Sequence, residues 1–295
     1  MASSIVSSNA AAVTPAQQQV VQKIVSDLRS KSEEVRHKAA RDLFNYVSVD
    51  LREAPADNLN AVLDYIIKHM LETVKGDASA KVGGVLAIVA LINALDLVDV
   101  CKTDTRISRF GNFLCNTCLA NSTDPVVIEL SAKALARLTQ VSGTYTANLK
   151  FQLTAHEVKR AFEVLQGDSN FQNADGTPRQ AQSGGELQRS DMRRYAAILV
   201  LREIASCMPT FFFQNVGIFF DVIFNPIRDP RPTLRESAVY ALRAALIVTT
   251  QRETAKQSKH QHLVRRFGFF EFSNYLSLFI CRVGTASAMI LQLQA

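Results

Sequence analysis

Cys115 and Cys118 stand at the CxxC spacing that can offer two thiolates to one metal ion. A structural zinc site needs four ligands. The other three cysteines, Cys101, Cys207 and Cys281, make no second pair at a suitable spacing. Five scattered cysteines also do not form a disulfide framework. We therefore read them as reduced thiols packed among helices. His37, His69, His156, His260 and His262 include no pair at i, i+4, so the two-histidine face of a zinc hydrolase is missing. Glu33 and Glu34 could pair as acid and base. They precede an apolar helical pattern, however, where carboxylates suit the positive end of a helix dipole. The sequence has no phosphate-cradling GxxxxGK[ST], no dinucleotide GxGxxG, no GxSxG elbow, and neither HRD nor DFG. No catalytic, cofactor-binding or metal-binding residue is assigned, and no cofactor is expected. The run Phe211-Phe212-Phe213, with Phe219, Phe220 and Phe224, could line a ligand groove or touch a membrane. Its helical spacing favours core packing instead.

The elements behind these residues form a repeat. Val35 to Leu43, Val82 to Ile88, Val127 to Leu135, Met192 to Val200 and Leu234 to Leu242 share one pattern. In four copies an apolar residue is followed four positions on by a small one and by another apolar residue four later, while in the Val82 copy the small Gly83 comes directly after the apolar residue. These positions share one helix face, and the small residue lets a neighbouring helix approach closely. Ala39, Gly83, Ser131, Ala196 and Ala238 are the equivalent small positions, separated by 44, 48, 65 and 42 residues. A period of about 40–47 residues belongs to two-helix HEAT or armadillo units. A second amphipathic stretch precedes each segment: Gln17–Arg29, Leu59–Val74, Arg106–Leu119, Ala155–Leu165 and Pro209–Phe224. The expected fold is all-α, a HEAT/armadillo-like solenoid of about five helix pairs. Asp124-Pro125 and Asp229-Pro230 read as helix starts, with Asp at the cap and Pro in the first turn.

The chain divides accordingly. Residues 1–15 read as a disordered leader without signal-peptide character and 16–255 as the solenoid. The long separation of 65 is explained by residues 167–190, rich in Gly, Gln, Ser and Asn, which read as a disordered inserted loop. Residues 256–295 read as a polar loop and a divergent aromatic tail, the latter foreign to the repeat array. Every apolar run is read as broken by charge or too short to span a membrane. The net charge of +6 is unevenly placed. Residues 1–149 carry 15 basic and 15 acidic side chains, while 150–266 carry 17 and 11. The arginines are interspersed with acids, which favours a solvated face over a nucleic-acid footprint. An independent HEAT adaptor in transport or chromatin is one function class consistent with this reading.

Several runs also carry a family likeness. They include Ser32-Glu33-Glu34-Val35-Arg36, Val82-Gly83-Gly84-Val85-Leu86-Ala87-Ile88 and Arg106-Ile107-Ser108-Arg109-Phe110. Others are Ala197 to Glu203, Pro209 to Gln214, and Ala241-Leu242-Arg243-Ala244 continuing to Thr249–Glu253. In order, over about residues 20–255, the chain resembles the extreme N-terminus of the target-of-rapamycin (TOR) Ser/Thr protein kinases, truncated before their kinase domain. The resemblance implies a non-catalytic scaffold and docking segment in nutrient and growth signalling. It implies as partners a Raptor-like subunit, a Rheb-like small GTPase and a second TOR protomer, with no nucleic acid and only indirect membrane contact. It also implies a cytoplasmic location, at lysosomal or other endomembrane surfaces through partners. The loop at 167–190 and the tail from Gly268 depart from the family pattern.

Overall fold

The computed structural model describes residues 13–73, 75–97, 104–140, 147–167 and 184–252. Among these the regular structure is helical throughout. The helices are α1 (Pro15–Leu28), α2 (Glu33–Asn45), α3 (Ala56–Thr73), α4 (Ala78–Leu97), α5 (Asp104–Asn112) and α6 (Pro125–Gln140). They continue as α7 (Ala147–Gly167), α8 (Gly184–Cys207), α9 (Pro209–Gln214), α10 (Val216–Ile227) and α11 (Pro232–Arg252). Two helices run on into wider π-helical stretches, α2 through Tyr46–Asp50 and α5 through Phe113–Leu119.

The pairs stack in two layers. The second helices α2, α4, α6, α8 and α11 each pack extensively on the next. The first helices form the other layer, in which α7 packs on α5 and on α10. The small residues that set the repeat lie at the seams, with Ser131 and Ala238 fully buried and Ala39 and Ala196 nearly so. At Gly83 the approach is main chain to main chain: a Cβ there would stand 1.9 Å from the Leu28 carbonyl oxygen at the end of α1. The chain is thus an all-α solenoid, as the periodicity implies.

Local chemistry explains the boundaries. Thr14 and Gln17 cap α1 reciprocally, since the Thr14 hydroxyl accepts from the Gln17 amide and the Gln17 side chain accepts from that of Thr14. Asp77 accepts the Ala80 amide at 2.9 Å at the start of α4. Asp124 accepts the amides of Val126 and Val127 ahead of α6, with Pro125 as its first residue. Arg36 in the first pair donates to the carbonyls of Ser30 and Lys31 at 2.8 and 2.9 Å. Arg235 in the fifth donates to those of Asp229 and Pro230 at 3.1 and 2.8 Å. The two arginines sit at the same step of their units and tie down the same turn.

The structure corrects four readings. Asp229-Pro230 does not start a helix; α11 begins at Pro232, and Asp229 instead accepts the Arg231 amide within the turn. The segment Pro209–Phe224 is split at Asn215, whose side-chain amide donates to the Phe211 carbonyl at 3.1 Å. Helix α8 begins at Gly184, inside the segment read as loop, where Glu186, Leu187, Gln188 and Arg189 are all good helix formers. Residues 168–183 of that segment lie outside the described residues, as do 1–12 of the leader and 256–295. Finally, Ala78–Leu95 in α4 is long and apolar enough to cross a membrane. It is instead a core helix, about two-thirds buried between α2 and α6.

Candidate functional site

From the second pair onward, neighbouring pairs are joined by arginines. In the second-to-third joint Arg106, only 4% exposed, reaches from α5 to α3. It donates to Asn60 Oδ1 at 3.0 Å, to the Asn60 carbonyl at 3.3 Å, and to Asp64 Oδ1 at 3.1 Å. Arg137 on α6 donates to Asn93 on α4 at 2.8 Å. In the next joint Arg160 of α7 donates to the Cys115 carbonyl, and Arg193 of α8 to that of Ala120. Arg160 also pairs at 2.7 Å with Glu157, a carboxylate only 2% exposed that His156 approaches at 3.1 Å.

The fourth-to-fifth joint is the most charged. Asp229, its side chain 3% exposed, receives Arg194 from α8, and both of its oxygens receive Arg231, at 2.8 and 2.9 Å. Arg231 reaches back to Asp191, closing a four-member network between α8 and the turn before α11. Charge-assisted forks of this kind fix orientation as well as contributing energy. The two carboxylates and two guanidiniums of this network sum to zero net charge.

The cysteines of the CxxC both lie on the π-helical stretch Phe113–Leu119 and are buried free thiols. Burial, with the nearby Glu157 carboxylate, pushes the Cys115 thiol far above its ordinary range. Burial pushes Cys118 up to about 11, against an opposing hydrogen bond with Ser131. Thiols in that condition are poor nucleophiles and poor ligands at neutral pH. The described residues hold no group of three or more His, Cys, Asp or Glu arranged to hold a metal ion. Cys101, Cys281, His260 and His262 lie outside the described residues.

The phenylalanine run divides between two roles. Phe212 and Phe219 are fully buried with ring centres 5.2 Å apart, and Phe220 packs edge-on beside them. Phe211 faces outward and meets Phe151 of α7 edge-on at 5.4 Å. These two border an open groove of about 500 Å³ between α7 and α9–α10, floored by Val158 and Phe162 and rimmed by Ile218. Phe151 is 54% and Ile218 44% exposed. Sequence reasoning missed this surface because it started the helix at Ala155. The stripe Phe151, Ala155, Val158, Phe162 was the available signal, spaced four, three and four. A smaller cleft of about 220 Å³ lies where Arg160 and Arg193 flank Ala196 and Ala197.

Stacked helix pairs with polar side-chain contacts at their joints define an all-α solenoid. No protein-family model matches the chain. It is 38% identical over 247 residues to the serine/threonine-protein kinase mTor of Drosophila melanogaster, a match covering 83% of this chain and 9% of that relative. It is 34% identical over 233 residues to the serine/threonine-protein kinase tor1 of Schizosaccharomyces pombe, covering 79% of the chain and 9% of the relative. With the serine/threonine-protein kinase TOR of Arabidopsis thaliana it shares 30% over 217 residues, 73% of the chain and 7% of the relative. Through this segment the chain belongs to the TOR family of Ser/Thr protein kinases. Its matched stretch spans less than one-tenth of these relatives' length.

Proposed function

We propose that this chain is a HEAT-repeat scaffold and docking segment of a TOR-type kinase, without catalytic groups of its own. The observation that carries the reading is the joint architecture. Successive pairs are aligned by close backbone approach at the first joint and by buried or half-buried arginine contacts at most later ones, which spends these polar side chains on alignment. Such a stack serves association over a large area. By family resemblance the partners are a Raptor-like subunit, a Rheb-like small GTPase and a second TOR protomer, at a cytoplasmic site and on endomembranes through those partners. The kinase activity of the family is assigned to other parts of the parent protein.

The test has two arms on the purified chain. Immobilised chain should bind a purified Raptor-like subunit saturably, and should show no magnesium-dependent ATP binding. Saturable ATP binding would give the chain a nucleotide site, and failure to bind any of the three partners would remove the docking role.

A further inference from the structure

The groove between α7 and α9–α10 lies close to the end of the last described helix. Helix α11 ends at Arg252, which donates to Thr210 of α9 at 2.7 Å and lies over the Phe213 ring. The chain therefore leaves the last described helix beside α9, whose Phe211 forms one edge of the groove. Residues 253–266 are polar, with Lys256, Lys259, Arg265 and Arg266. At about 3.3 Å per residue they could reach up to about 45 Å, well beyond the width of a helix or two. Next in the sequence is the aromatic segment that the repeat does not explain. In it Phe269, Phe272, Leu276 and Phe279 are spaced three, four and three, the anchor pattern of a helix laid in a groove. Tethering makes the encounter intramolecular, so even weak anchors would hold the site.

We propose that the segment Phe267–Phe279 docks through this aromatic stripe into the groove walled by Phe151, Phe211 and Ile218. The outer face of α11 is the competing seat, but its Tyr240 and Ile247, exposed among the described residues, are interleaved with Glu236 and Arg243. The α7 groove also carries charge, at Lys159 and Glu163, but it is a concave site with buried Val158 and Phe162 in its lining, where the α11 face is convex.

The full chain has no tryptophan, so a single one reports locally. Ile218→Trp should give blue-shifted emission shielded from acrylamide at low protein concentration. Adding Phe269→Ser, Phe272→Ser and Phe279→Ser together should shift the emission to the red and remove the shielding. Phe151→Trp reads the opposite wall, should Ile218→Trp disturb α10. Ile247→Trp on α11 should not respond to the tail substitutions. Exposure of the groove tryptophans in both backgrounds overturns the proposal. So does shielding that survives the tail substitutions, including shielding that grows with protein concentration, which would assign the groove to a second copy. A tail-dependent response at position 247 alone would move the docking site to α11 and overturn the proposal as well.

Discussion

The first and last joints of the stack solve the same packing problem in opposite ways. Between the first two pairs, shape does the holding: Ala39 is buried at the seam, and Gly83 brings α4 against the Leu28 carbonyl with no space for one more carbon. The polar contacts there are peripheral, Gln17 to Asn58 at 3.0 Å and Gln22 to Tyr65 at 3.5 Å. Between the last two pairs, Ala196 and Ala238 keep the close approach, but the alignment is set by Arg194, Asp229, Arg231 and Asp191. One architecture thus tolerates two kinds of seam, one sensitive to added volume and the other to lost charge.

The largest expected effect is at the charged seam. Asp229→Ala leaves Arg194 and Arg231 without their shared carboxylate, and breaking a buried pair costs about 3–5 kcal/mol. Arg231 is about one-third exposed and retains Asp191, so the lower end of that range is expected in urea unfolding. A loss below about 1 kcal/mol, the value of a surface pair, would mean the network is solvated.

At the shape-determined seam, Gly83→Ala should destabilise by about 1–3 kcal/mol through overpacking against main chain that cannot rotate away. Gly217→Ala is the contrast, because its Cβ would meet nothing within 4 Å. Gly217 lies in the first turn of α10, and Ala there should stabilise by up to about 0.4–1 kcal/mol by restricting the unfolded chain. Equal thermal shifts for the two variants would show that Gly83 is not a close contact.

The third pair supplies a smaller, pH-dependent difference. The Cys118 thiol is raised from 9.0 to about 11 by burial, so the folded state resists its ionisation. That contribution is complete below about pH 9 and is lost as pH rises towards 11. Melting temperature should therefore fall over that window in the parent chain and fall less in Cys118→Ala. Parallel curves would place Cys118 in a wetter setting.

Much of this was legible in the residues. The recurring small position located all five second helices, because close approach tolerates few side chains and so marks the sequence strongly. The preceding amphipathic stretches located their partners, although α7 proved longer and α9–α10 broken. The joints were not legible. Arg106 meets Asn60 and Asp64 from more than 40 positions away, and nothing local distinguishes it from a solvated arginine. Asp229 next to Pro230 carries the same local signal as Asp124 next to Pro125, yet one caps a helix and the other anchors a network. Asp229 is held by Arg231 beside it and by Arg194 from another helix, and the second partner leaves no local trace in the sequence. Likewise α4 has the length and hydropathy of a membrane span, and only its neighbours identify it as core.

The central claim is that the pairs form a linear stack stabilised joint by joint. Native-state hydrogen exchange on the parent chain, Asp229→Ala and Gly83→Ala tests it most directly. Nearest-neighbour stabilisation confines the damage. Asp229→Ala should lower amide protection in α8, α10 and α11 while α1 to α4 stay protected, and Gly83→Ala should do the reverse. Uniform loss of protection along the whole chain in both variants would contradict the account and describe a single cooperative core.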